Sequence, residues 1–168
     1  GGELIDARKL NSDWNKVAFD DENWQNAVTT ERKVQLSAQI VEPDRIIGTF
    51  KPVKITEIGK DACKVDFGKN FTGWFEIKNL RGKPGSMITI CVADDSGHPQ
   101  DFGQRNAFVC GDNPGTFCNR LNYQGGRYVT VSGLSYTPAP ADFRGYALST
   151  GLEPRDGMDA CSSDLDQI

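Results

Sequence analysis

Val65-Asp66-Phe67-Gly68-Lys69-Asn70-Phe71-Thr72-Gly73-Trp74-Phe75-Glu76-Ile77 sets two apolar runs on either side of a Gly/Asn joint and plants a tryptophan at the start of the second. Apolar runs around such a joint are the pattern of a β-hairpin, so Ala62 to Phe67 and Thr72 to Leu80 are predicted as paired strands. Upstream, Arg45 to Ile58 is a long β-rich run in which Pro52 marks an edge or a bulge. Downstream, Lys83-Pro84-Gly85 is a turn, and Ser86 to Ala93 is a near-continuous apolar strand of the kind found in a sandwich core. After the turn Asp94-Asp95-Ser96-Gly97 come short strands at Asn106 to Cys110, Thr116 to Leu121 and Arg127 to Val131. Pro138-Ala139-Pro140 interrupts before a last strand, Asp142 to Ser149. Strands this frequent, in a chain with 18 Gly and 8 Pro, predict an all-β fold, an antiparallel β-sandwich.

The two ends read differently. Residues 1–30 are acidic and Asn-rich, punctuated by Trp14, Phe19 and Trp24, with one helical turn expected at Asp20 to Trp24, capped by Asp20 or Asp21. They begin abruptly, as if an earlier domain had been removed. Residues 31–44 look like a connector with an apolar patch at Val34-Gln35-Leu36, closed by Pro43. Ser162 to Ile168 reads as a capped helix start cut off mid-element.

Composition narrows the function classes. A chain of 168 residues buries about 70% of its unfolded surface, so its core needs no metal or disulfide staple. The net charge is −4 and the 19 Lys and Arg are scattered, which argues against a phosphate-backbone partner. No apolar run reaches membrane-spanning length, and no charged n-region with an apolar h-region opens the chain. Cys63, Cys91, Cys110, Cys118 and Cys161 form no C-x-x-C pair, so zinc is not indicated. Cys110 and Cys118 flank a turn and are a possible disulfide; buried free thiols are the favoured reading.

No catalytic signature stands out. Asp20-Asp21, Asp94-Asp95 and Asp66 supply carboxylates, but adjacent aspartates are usually turn formers with solvated charge. His98, the only histidine, sits in the loop Gly97-His98-Pro99 with no nucleophile pattern around it. There is no G-x-S-x-G, H-E-x-x-H or phosphate loop.

Four segments, in order, resemble the bacterial α-L-rhamnosidase family. Asp6-Ala7-Arg8, Trp14, Phe19-Asp20-Asp21 and Trp24 resemble the end of the family's N-terminal carbohydrate-binding-type domain. Phe67 to Trp74 is the second segment, and Tyr123 to Leu134 the third. In the third, Gln124-Gly125-Gly126 stands where the family usually has His-Gly-Phe. Cys161 to Ile168 is similar to the entry into a catalytic helical domain.

The resemblance implies a concanavalin-like, jelly-roll type sandwich over 31–150, a remnant of the preceding domain over 1–30 and a helical linker over 151–168. It implies a partner in the same chain, an (α/α)6 barrel whose acidic residues hydrolyse α-L-rhamnosides with inversion. The fragment itself is then expected to be inactive and to support the barrel. The alternative is a carbohydrate-binding module for rhamnose-containing glycans. For that role Trp74, Tyr123, Tyr128 and Arg127 are the candidate residues, with Trp14, Trp24 and Tyr136 behind them, since an aromatic face stacks on a pyranose and polar groups fix its hydroxyls. Packing is the commoner fate of a tryptophan at the start of a strand, and Arg127 has the fork geometry to bridge the sheet to a neighbour. The family's N-terminal domain can hold sugar with Ca²⁺, but neither Asp94 to Gly97 nor Asp112-Asn113 has calcium-loop spacing, and no metal or other cofactor is assigned. Family habit points to a periplasmic or secreted bacterial protein, with cytoplasmic members also expected.

Overall fold

The computed structural model describes residues 1–11, 13–94 and 104–150. The helix start expected after Cys161, His98 and most of the turn at Asp94 to Gly97 lie outside these residues. Nine strands are described: β1 (Leu4–Asp6), β2 (Arg45–Phe50), β3 (Lys54–Glu57), β4 (Ala62–Leu80), β5 (Met87–Ala93), β6 (Asn106–Val109), β7 (Gly115–Cys118), β8 (Gln124–Ser132) and β9 (Phe143–Ser149), with one 3-10 turn at Pro140–Asp142.

The expected hairpin is instead one strand of 19 residues, β4. The type I′ reversal that a Gly/Asn joint favours needs consecutive positive φ angles. Here only Gly68 takes one, at 82°, while Lys69 and Asn70 do not. The Asp66 carboxylate accepts the Gly68 N–H at 2.7 Å, which fixes a bend rather than a reversal. The register breaks between Asp66 and Phe71, and the strand then changes partners. β8 pairs on both sides of the break, as far as Gly73; β3 pairs only before it, and β7 and β9 only after it.

β4 therefore belongs to two wings of a single curled sheet. One wing runs β1-β6-β5-β8 to the first half of β4, with β3 beyond; the other runs from β7 through the second half of β4 to β9 and β2. All pairings are antiparallel except β1 with β6, which is parallel. The strand bends so that both wings bury one face against the other. Val65, Ile88, Ile90, Phe108, Val129 and Val131 come from the first wing and Phe75, Ile77, Phe117 and Phe143 from the second, and all join one core. Phe67, Phe71 and Phe75 pack as a triangle across the bend with centroids 4.7–5.7 Å apart, and Phe50 of β2 joins it at 4.9 Å from Phe71. Such a cluster supports the bend through aromatic burial and edge contacts.

The run expected from Arg45 to Ile58 is split into β2 and β3 at Lys51-Pro52-Val53, since Pro52 has no N–H for the ladder. Leu4–Asp6, inside the stretch expected to be a remnant, is hydrogen-bonded into the first wing through β6. From Asp13 to Asp44 the chain forms turns but no strand. One is the expected turn: Trp24 N–H bonds Asp21 O at 2.8 Å, and the Asp20 side chain accepts the Glu22 N–H at 3.0 Å. Cys63, Cys110 and Cys118 are buried thiols outside any disulfide, and Cys91 is half-buried. β6 and β7 do not pair with each other, so Cys110 and Cys118 do not face across a hairpin.

Candidate functional site

The four candidate residues fall into two pairs on different parts of the surface. Arg127 and Tyr128 lie at the β4 bend on the first wing. Arg127 grips Asp66 with two parallel hydrogen bonds, Nε to Oδ1 at 2.7 Å and Nη2 to Oδ2 at 2.8 Å. The Arg127 guanidinium also lies 5.0 Å from the Tyr128 ring centroid, and the Lys64 ammonium lies 5.8 Å from it. The hydrogen bond from Arg127, chiefly, holds the Asp66 carboxyl below the ordinary carboxylate range, and the pairing raises the Arg127 pKa in turn. This cluster is an ion pair that fixes the bend, with Tyr128 held beside it by two cations.

Trp74 and Tyr123 lie along the second half of β4. Trp74 points away from the core residues Phe75 and Ile77, is half-buried, and has the Arg120 guanidinium 5.3 Å from its ring centroid. Its cross-strand neighbour is Tyr146, whose hydroxyl donates to Glu76 at 3.2 Å. Burial and then the Glu76 charge push the Tyr146 pKa up. Tyr123 is exposed at 60%. None of the ring–ring contacts among the described residues joins Trp74, Tyr123 and Tyr128 into one platform. Trp14 and Trp24 stand in solvent, and Tyr136 is tied down, its hydroxyl donating to Asn79 O at 2.9 Å beneath the Arg81 guanidinium.

Sequence reasoning missed the loop between β7 and β8. Both strands run along the same edge of β4, and residues 119–123 bulge out between them. Asn119 fills the gap in the ladder: its Oδ1 accepts the Phe75 N–H at 2.7 Å and its Nδ2 donates to Gly73 O at 3.4 Å and Asn122 O at 3.3 Å. The Glu3 carboxylate accepts three successive backbone N–H groups, from Arg120 at 2.9 Å, Leu121 at 2.8 Å and Asn122 at 2.9 Å. Consecutive N–H groups around an anion form a nest, and here the anion is the protein's own.

Gln124 follows directly and is buried. It accepts from Asn106 Nδ2 at 2.7 Å and donates to Gln104 O at 2.9 Å, while Asn106 Oδ1 accepts the Glu3 N–H at 2.9 Å. An amide supplies donor and acceptor at once, which this relay uses. Gly126 has no room for a side chain, because a Cβ there would meet Val92 Cγ1 at 2.6 Å and Ala93 O at 2.7 Å. Gln124-Gly125-Gly126 is thus the start of β8, opened by a polar relay.

The carboxylates that the sheet holds are engaged: Asp66 by Arg127, Glu3 by the nest, and Glu76 by Tyr146 and by Lys78 at 3.4 Å. Among the described residues no three His, Cys, Asp or Glu side chains converge as metal ligands.

Two wings sharing one bent strand around a single core define the class, a concanavalin-like β-sandwich. The chain belongs to the bacterial alpha-L-rhamnosidase concanavalin-like domain family, whose model matches residues 56–149. It is 25% identical to an alpha-L-rhamnosidase of Formosa agariphila over 98% of this chain and 19% of that protein, and 27% identical to one of Streptomyces avermitilis over 89% and 15%. The solved structure of alpha-L-rhamnosidase from Dictyoglumus thermophilum superposes with a TM-score of 0.78 at 29% identity, covering 89% of this chain and 18% of that one. The Streptomyces avermitilis enzyme shares the fold, with a TM-score of 0.77 at 24% identity over 88% and 15%. The chain spans less than a fifth of the length of these relatives.

Proposed function

We propose that this chain is the accessory sandwich of an α-L-rhamnosidase and that it works by docking against a catalytic (α/α)6 barrel of the same polypeptide. In this reading the sandwich is residues 31–150 together with Leu4–Asp6, which pairs into its first wing, while the rest of 1–30 is the remnant and 151–168 the linker. One observation carries the docking role. The core is complete, yet Val28, Val34, Leu36, Ile40, Val41, Ile46 and Ile47 stand in solvent at 50–95% exposure. Seven exposed apolar side chains within twenty residues of one segment are what an interaction surface would use. Ile46 and Ile47 are brought out together by the register shift in β2 between Ile46 and Gly48. The relatives' greater length is consistent with a partner domain in the same chain.

The test substitutes Val34, Leu36, Ile40 and Val41 by Ser together in the full-length parent. Its melting temperature and its turnover of p-nitrophenyl α-L-rhamnoside are then measured. Docking predicts a lower melting temperature of the catalytic domain and reduced turnover. An unchanged parent on both readouts overturns the reading.

A further inference from the structure

We propose that the cleft beside Tyr123 is a binding subsite for one neutral sugar ring. The cleft is lined by Asp44, Thr72, Tyr123, Leu148, Ser149 and Thr150 and has a volume of about 290 Å³. That is at the lower end of the range for small-ligand sites, which runs from roughly 300 Å³ upward.

The lining selects the ligand by its chemistry. Tyr123 offers an aromatic ring and Leu148 an apolar wall, which suit the C–H face of a pyranose. Thr72, Ser149 and Thr150 offer hydroxyls that both donate and accept, and Asp44 offers a carboxylate that accepts from a pair of ligand hydroxyls. Among the described residues no cation lines the cleft, so a phosphate or a carboxylate ligand would meet Asp44 unpaired.

The backbone carrying Tyr123 is fixed on both sides. Asn122 gives its N–H to Glu3, and Gln124 is buried in the relay with Asn106 and the Gln104 carbonyl. An exposed aromatic on a doubly pinned backbone is pre-organised, so stacking a ligand on it loses little loop entropy. Of the other candidates, Trp74 is already covered by Arg120, and Arg127 and Tyr128 are engaged with Asp66 and each other. The subsite therefore keeps Tyr123 and adds residues of β4, β9 and the chain before β2.

The experiment is a backbone-amide NMR titration of the 168-residue chain with L-rhamnose, with methyl α-D-glucopyranoside and with inorganic phosphate. Saturable, millimolar shifts at residues 72, 123 and 148–150 with at least one sugar, and none with phosphate, are expected. Tyr123→Ala is expected to weaken binding about tenfold, the size of one lost stacking contact, while Tyr123→Phe keeps most of it. Tyr123 is exposed, so both variants should retain the wild-type spectrum elsewhere. No saturation with either sugar, shifts mapping to another face, stronger binding of phosphate, or a Tyr123→Ala variant that binds unchanged each overturns the subsite. Because the titration uses this chain alone, its outcome is separate from that of the docking test.

Discussion

Glu3 and Leu121 are 118 positions apart in sequence, yet the Glu3 carboxylate accepts the Leu121 N–H at 2.8 Å. The same carboxylate holds the neighbouring N–H groups of Arg120 and Asn122, so one side chain anchors the loop beside Trp74 and Tyr123. A carboxylate has the acceptor capacity for three donors, whereas an amide has one oxygen and a competing NH2. Glu3→Gln is expected to lower the unfolding free energy by about 1 kcal/mol, the scale of a charge-assisted hydrogen bond that is partly solvated. Hydrogen exchange at the amides of 120–122 should accelerate more than exchange in β4 and β5. Unchanged protection of those amides would count against the anchor.

Asn119 has a different job, since it completes the β4 ladder on the edge where neither β7 nor β8 reaches Phe75. Asn119→Ala leaves the buried Phe75 N–H without its 2.7 Å acceptor. The expected cost is about 1–3 kcal/mol in urea unfolding, the desolvation penalty of one unmade hydrogen bond. Asn119→Asp keeps the acceptor and should recover part of that loss.

The Asp66–Arg127 pair makes a prediction about pH. Arg127 depresses the folded-state pKa of Asp66, and Arg8 lowers that of Asp6 to about 2. A depressed carboxyl pKa contributes stability that is present above the unfolded value, about 3.8, and is lost as pH falls through the folded value. The fold is therefore expected to weaken below pH ~4 as these two groups protonate. Asp66→Asn should destabilise the protein at neutral pH and flatten that acid limb, because the group that titrates is gone. Equal acid sensitivity in the variant would assign the limb to other carboxylates. Asp66 also accepts the Gly68 N–H, a bond that an asparagine amide oxygen can keep, so the loss in this variant reports the pairing with Arg127.

How far the sequence discloses this architecture is clearest at β4. Alternation in Cys63, Val65 and Phe67 and again in Phe75 and Ile77 correctly marks strands and their buried face. It carries no information on whether the joint reverses the chain. That depends on the φ angles of Lys69 and Asn70 and on the Asp66 side chain, which the pattern does not contain. The parallel pairing of Leu4–Asp6 with β6 was hidden for another reason, since a three-residue strand has no measurable period and its partner lies a hundred positions away. At the candidate site, residue type was enough to put Tyr123 among the aromatic candidates, but not to show that it is the one left exposed. The roles of Glu3 and Asn119 were not legible, because both act on backbone groups brought near them only by the fold.

Gly73 sits where β4 is paired with β8 on one side and β9 on the other. A Cβ built there would lie 1.9 Å from Tyr146 O, which is backbone and cannot swing away. Gly73→Ala should therefore separate the β4–β9 seam at a cost of about 3 kcal/mol or more. Gly125→Ala is the control, since its Cβ would meet only Thr72 Oγ1 at 3.5 Å, an ordinary contact. If the two variants unfold at the same urea midpoint, the close approach of β9 to Gly73 is not what holds the seam.

The buried thiols give a reactivity prediction. Burial, with the Glu57 charge adding to it, pushes the Cys63 pKa up to about 11. Burial does the same for Cys118, also to about 11, against the opposing pull of Arg120. The thiolate is the reactive form, so at pH ~8 both groups are almost wholly protonated as well as enclosed. Iodoacetamide treatment of the native chain, followed by peptide mapping, is expected to leave Cys63 and Cys118 unmodified. The same treatment in urea should modify both, because unfolding returns each thiol to the ordinary range. Cys63 is packed in the core between the wings, so its modification should track global unfolding. Cys118 ends β7, beside the loop that Glu3 anchors, and its labelling in Glu3→Gln reports whether that anchor also closes the edge of the second wing. Faster labelling of Cys118 than of Cys63 in that variant is the expected result; equal protection of the two would confine the effect of Glu3 to the loop itself.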